Sequence, residues 1–145
     1  MFEHILIPTD GSDLSRKAML YGMQLAKLSK ARVTALSIRP PFGPIVTDAY
    51  IIADTQDDFE RGAREVADRA LAQAAMAGDA AGVLVETVQE EHDQPFRSII
   101  NCARANACDL IVMASHGRRG VSALLLGSET QKVLTHCHIP VLIYR

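Results

Sequence analysis

The sequence predicts an α/β fold, a five-stranded, parallel, doubly wound open sheet with helices on both faces. Three observations predict it. Short apolar, β-rich runs alternate with segments whose apolar residues recur at helical spacing, in the order β-α-β-α-β-α-β-α-β. Strands separated by helices return by crossovers, which within one sheet are right-handed and make the strands parallel. The chain has 145 residues, 48% of them apolar, enough to fill a single core, and residues 1–145 read as one domain without linker, repeat or low-complexity segment.

Residues 4–8 (His4 to Pro8) form the first buried strand, which ends where Pro8 cannot donate to a ladder. Thr9, Asp10, Gly11 and Ser12 turn the chain, and Ser12 or Asp13 caps a helix over about 13–30. Its apolar stripe is Leu14, Ala18, Tyr21, Leu25 and Leu28. A second strand, 32–38, stops at Pro40 and Pro41. Residues 40–55 are irregular yet apolar at Ile45, Val46, Tyr50, Ile51 and Ile52, so this loop lies over a ligand, another subunit or its own domain. A helix over 56–77 carries Phe59, Ala63, Val66, Ala70 and Ala74 inward and a mixed, solvated charge run outward, and Gly78 and Gly82 bracket its exit. A third strand, 83–88, has the acidic tail of a sheet edge. Asp93 caps the next helix, Pro95 suits its first turn, and Phe96, Ile99, Ile100, Ala103 and Ala107 make its stripe. The fourth strand is 109–113, a glycine-bearing loop leads to a helix over about 128–137, and residues 140–144 are the fifth strand.

Composition narrows function. A formal net charge of −2 implies no polyanion partner, hence no nucleic acid. No apolar run reaches the ~18 residues of a membrane span, and no leader pattern is visible, so a cytoplasmic protein without membrane partners is expected. Three cysteines, Cys102, Cys108 and Cys137, make no disulfide framework and read as reduced, small core residues. His136, Cys137 and His138 lack a fourth ligand and read as a helix C-terminus rather than a metal site.

In an open α/β sheet, ligands sit beyond the carboxyl ends of the strands, where strand order reverses. A doubly wound order puts the first and fourth strands together there. The first loop offers the Asp10 carboxylate and hydroxyls. The second runs from Met113 through Ala114, Ser115, His116 and Gly117 to the helix start at Gly127 and Ser128. Helix-start N–H groups lack internal partners and the dipole favours negative charge, so this stretch can hold the phosphates of a nucleotide. Neither the Gly-x4-Gly-Lys-Ser/Thr loop nor a Gly-x-Gly-x-x-Gly turn is present, which excludes the common NTPase and dinucleotide fingerprints. No nucleophile elbow appears either.

These residues resemble the universal stress protein family over essentially the whole chain. The opening from Ile5 to Ser12, the closing Pro140-Val141-Leu142-Ile143, and the family's Gly-x2-Gly-x9-Gly-Ser/Thr motif, here Ala114-Ser115-His116-Gly117 and then Gly127-Ser128, carry the resemblance. It implies a Rossmann-like, adenine-nucleotide-binding sheet of order 3-2-1-4-5, ATP as ligand, possible Mg2+, and homodimers joined through the last strand. It also implies site roles. Pro8, Thr9 and Asp10 would face the adenosine, Ile38 would line the adenine site, and Met113 and Ala114 would lie beneath the nucleotide. Ser115, His116, Gly117, Gly127 and Ser128 would surround the phosphates. Apart from the resemblance, Glu129 would oppose an anion near that helix start, and Arg118 and Arg119 would offset it by pairing with phosphate oxygens, or stand solvated.

Ala114 departs from the motif's glycine. A left-handed backbone there would cost alanine roughly 1–2 kcal/mol; where close approach alone is needed, its methyl would stand against a phosphate. Ser128 and Gln131 also fit a capping box, Asp10 a turn brace, and His116 a structural hydrogen bond. Three functional readings follow: a dimeric, ATP-binding stress regulator in which nucleotide orders loops and changes partner docking, an interaction or chaperone-like protein with an empty cleft and an unknown client, and a slow ATPase that lacks an evident base.

Overall fold

Alternate residues of a strand face opposite sides of its sheet, and here that alternation sorts the core into two layers. The computed structural model describes residues 1–43, 55–118 and 125–145. Most of the apolar stretch of the 40–55 loop, and Arg119, lie outside the described residues. The strands are β1 (His4–Pro8), β2 (Arg32–Arg39), β3 (Val85–Glu91), β4 (Leu110–Ala114) and β5 (Val141–Tyr144). They make one parallel sheet in the order β3-β2-β1-β4-β5, as expected. The helices α1 (Asp13–Ser29), α2 (Gln56–Ala81), α3 (Pro95–Ala105) and α4 (Ser128–His136) connect them. Ile5, Ile7, Val33, Ala35, Leu110 and Val112 pack with α1 (Met19, Met23, Ala26) and α2 (Leu71, Ala74). Their neighbours Leu6, Leu36, Ile111 and Met113 pack on the other face with α3 (Ile99, Cys102, Ala103) and with Val133 of α4. Among the described residues no helix is long and apolar enough to cross a membrane.

The buried His4 ring has a partner at each nitrogen, as the cost of leaving a buried polar group unpaired requires. His4 bonds the Asn106 carbonyl through Nδ1 (2.8 Å) and the Thr34 hydroxyl through Nε2 (2.8 Å). A carbonyl only accepts, so Nδ1 carries the ring proton and Thr34 donates to Nε2. Burial, aided by the Arg32 charge, holds the His4 pKa below its ordinary value. Cys102 and Cys108 are free and buried. Burial pushes their thiols up to about 11 and about 12, so both remain protonated and pack as small apolar groups.

Several local expectations are corrected. The inward stripe of α1 is Ser15, Ala18, Met19, Gly22, Met23 and Ala26, while Tyr21 and Leu28 are exposed. Small residues win because α1 lies close to the sheet: a Cβ on Gly22 would come within 2.6 Å of Ile7 Cδ1. The helix α2 runs on to Ala81, and the Val83 N–H closes its end on the Gly78 carbonyl (2.9 Å), so β3 begins at Val85 rather than 83. Ala107, placed on the α3 stripe, lies beyond the helix with φ +52°. Asp93 does not cap α3; the N-cap is Gln94, whose side chain makes no cap bond. Instead the Glu129 carboxylate, from α4, accepts the Phe96 N–H at 2.8 Å. At the other end of α4, His136 Nδ1 donates to the Lys132 carbonyl (2.8 Å), the C-terminal cap expected.

Lys30 (φ 58°) and Ala107 (φ 52°) hold the left-handed conformation that Gly82 (φ 70°) holds after α2. Lys30→Gly and Ala107→Gly should each raise the urea unfolding free energy by about 0.5–1 kcal/mol, and Gly82→Ala should lower it by about 1 kcal/mol.

Candidate functional site

Where β1 and β4 end side by side, their loops are tied to each other through Asp10. Its Oδ1 accepts the Ser12 N–H (2.9 Å) and its Oδ2 the Arg118 N–H (2.8 Å). Arg118 Nε returns a bond to the Asp10 carbonyl at 2.8 Å. Burial alone would push the Asp10 carboxyl up. The hydrogen bonds from Ser12, Arg118 and Ser15 outweigh it, so the group sits below its ordinary value and is a carboxylate at neutral pH. Gly117 is needed for closeness rather than for an unusual φ, since a Cβ there would lie 2.5 Å from Asp10 Oδ2. The rest of the β1 loop braces itself. The Thr9 N–H reaches the Leu36 carbonyl (2.8 Å), its hydroxyl meets Ser15 Oγ (3.2 Å), and Ser12 Oγ caps α1 at the Ser15 N–H.

Across the loop, the Ser115 carbonyl gathers the start of α4. It accepts the Gly127 N–H (2.7 Å) and the Thr130 hydroxyl (3.2 Å), which also reaches the Ala114 carbonyl (3.2 Å). A Cβ on Gly127 would meet the Ser115 oxygen at 3.1 Å and His116 Cα at 3.2 Å. The expected capping box is absent. Gly127 is the N-cap with no side-chain bond, Ser128 is the first helical residue, and Gln131 Nε2 donates to the Leu126 carbonyl. The first turn of α4 therefore keeps N–H groups without a side-chain cap. Glu129, expected to oppose an anion there, has its carboxylate on the Phe96 N–H and on Lys132 Nζ (3.0 Å).

A cleft of about 790 Å³ opens over these loops. Pro8, Thr9, Asp10, Ile38, Met113, Ala114, His116, Gly117, Arg118, Gly127 and Ser128 all line it. Ser115 does not. It is buried beneath, its N–H on the Tyr144 carbonyl (2.8 Å) and its hydroxyl at His116 Nδ1 (3.2 Å). Ala114 is the last residue of β4, paired with Tyr144, and its φ is not positive. The motif's glycine is thus not required here for a left-handed backbone. Glu129, expected beside an anion, also lines the cleft, and so do Ser15, Leu36, Pro40, His92, Asp93, Pro95, Ile99 and Thr130, which were not placed at the site from sequence. Only Thr130 had a local signal, a hydroxyl in the first turn of a helix. Among the described residues no group of three His, Cys, Asp or Glu side chains is placed to hold a metal ion.

The cleft is of the size that takes a drug-sized ligand. It joins an apolar wall (Leu36, Ile38, Pro40, Met113) to the first turn of α4, whose uncapped N–H groups begin at Ser128 because that of Gly127 is held by the Ser115 carbonyl, which fits a base at one end and phosphate at the other.

Comparison with known proteins agrees with this architecture. The profile of the universal stress protein family matches residues 1–145. A universal stress protein of Thermus aquaticus is 30% identical over 145 residues, spanning the whole of both chains. The structure of a universal stress protein in complex with cAMP superimposes with a TM-score of 0.74 at 23% identity, over 99% of this chain and 97% of that one. That of the Archaeoglobus fulgidus protein in complex with dAMP gives 0.70 at 18% identity, over 100% and 98%.

Asp10→Asn places an NH2 group against either the Ser12 or the Arg118 N–H, and should cost about 1–3 kcal/mol of stability at neutral pH. Because the folded-state pKa is depressed, the wild-type contribution is present above the ordinary value of 3.8 and is lost as pH falls through the folded value. Thermal melts across pH 2–7 should show the variant with a flatter acid limb than wild type.

Proposed function

The chain belongs to the universal stress protein family, and we propose that it is a cytoplasmic, adenine-nucleotide-binding member whose ligand is ATP. The observation that carries this is the Asp10 clasp set against the uncapped start of α4. It holds the β1 and β4 loops around a cleft that is apolar on the β2 side and meets the uncapped N–H groups of the first turn of α4, from Ser128 on, at the other. The relatives solved with cAMP and dAMP share this fold and support the reading.

In this assignment Leu36, Ile38 and Pro40 take the adenine face, Pro8, Thr9 and Asp10 the adenosine side, and Met113 and Ala114 the floor. His116, Gly117, Gly127 and Ser128 surround the phosphates, with Ser115 acting from below by holding Gly127 and Thr130 in place. Arg118 has its Nε on the Asp10 carbonyl and its terminal nitrogens to offer a phosphate. Both Asp10 oxygens accept N–H bonds, so Mg2+ would enter on the phosphate oxygens of ATP rather than on this carboxylate. Bound nucleotide would order the loops over the cleft and alter which protein client docks. A homodimer through β5 is supported by that strand's place at the sheet edge and by its four residues, all only half-buried. The empty-cleft alternative drew its motive from Ala114, which as a strand residue carries no left-handed strain.

Freshly purified protein, denatured and examined by mass spectrometry, should release adenine nucleotide. Calorimetry on stripped protein should give a micromolar to sub-millimolar dissociation constant for ATP with Mg2+. Absence of binding at millimolar ATP overturns the assignment. Gly127→Val, whose side chain meets the Ser115 carbonyl and His116, should weaken binding more than roughly tenfold.

A further inference from the structure

The cleft has a second polar corner, at the end of β3 just before α3. Sheet order puts the ends of β3 and β4 on opposite sides of the β2–β1 pair, three strand spacings or roughly 14 Å apart. The lining contributed by β2, by Pro40 just past it and by α3 is apolar at Leu36, Ile38, Pro40 and Ile99. Just past β3, His92 and Asp93 bring the hydrogen-bonding side chains of that corner.

The His92 ring is oriented by its own turn. The Gln94 N–H donates to Nδ1 at 2.8 Å. A backbone N–H has no other role, so Nδ1 is an acceptor and the neutral ring carries its proton on Nε2. Asp93 Oδ1, 3.1 Å from the same Nδ1, is then a second acceptor rather than an ion-pair partner; its side chain is 73% exposed and can swing away. A flat heteroaromatic base lying on the apolar wall would bury ring nitrogens that need a donor, and leaving them unpaired is costly.

We propose that His92 is the base-reading residue of this cleft, its Nε2–H donating to an in-ring nitrogen of the purine. This rests on the nucleotide assignment above and gives that ligand its orientation: base toward the β3 corner, phosphates toward α4.

The test compares ATP, tripolyphosphate, and ATP analogues in which CH replaces a single ring nitrogen, by calorimetry on wild type, His92→Phe and His92→Gln, with matched thermal midpoints as the check on folding. His92→Phe should weaken ATP roughly three- to tenfold and leave tripolyphosphate unchanged. His92→Gln, which keeps a donor, should recover part of the loss. One analogue should bind wild type more weakly by that same factor and be indifferent to His92→Phe. Equal losses for ATP and tripolyphosphate, an unchanged ATP affinity, or no analogue that compensates would each overturn the role of His92 while leaving nucleotide binding standing. A wild type that binds neither ATP nor tripolyphosphate overturns both.

Discussion

The Asp10 carboxylate is the constraint on which the cleft depends. It sits at the end of β1, accepts one N–H from its own turn and one from Arg118, 108 residues away, and has the Gly117 backbone against it. A carboxylate has two oxygens, and here each is committed to a different loop. Both loops are therefore held at one separation, and a ligand meets an edge that is already built rather than one it must assemble.

The second support lies on the α4 side. The Ser115 carbonyl, at the end of β4, draws in Gly127 and Thr130, so the helix begins directly above the sheet end. Glu129 then spans to the Phe96 N–H and stands in for the cap that α3 lacks. One acidic residue thereby completes a neighbouring helix while lining the cleft at the first turn of its own. Phe96 is packed by His136, with ring centroids 5.2 Å apart, which locks the same two helices further along.

The fold was legible because its evidence is local and periodic. Ile5 and Ile7 against Leu6, or Val112 against Met113, announce a strand buried on both faces, and Pro8, Ser12 and Pro95 punctuate the elements where the structure does. The α1 stripe was misjudged because the decisive quantity there is how closely the helix approaches the sheet. That distance favours Ala18, Gly22 and Ala26 over the larger Leu and Tyr residues nearby. The capping box at Ser128 was a sound local pattern defeated by Thr130 and Ser115, which take hold of the helix start from outside it.

The sequence by itself determined the order of elements, the parallel sense of the sheet and the two loops that meet at its reversal, since these follow from side-chain period, chain-breaking residues and the handedness of crossovers. Tertiary structure alone decided that Asp10 clasps Arg118, that Glu129 caps α3, that Ala114 is a strand residue, and that His92 and Ile99 share a cleft with Gly127. Each of those is a contact between segments far apart in the chain. A hydrogen bond between such segments leaves no trace in the periodicity of either one.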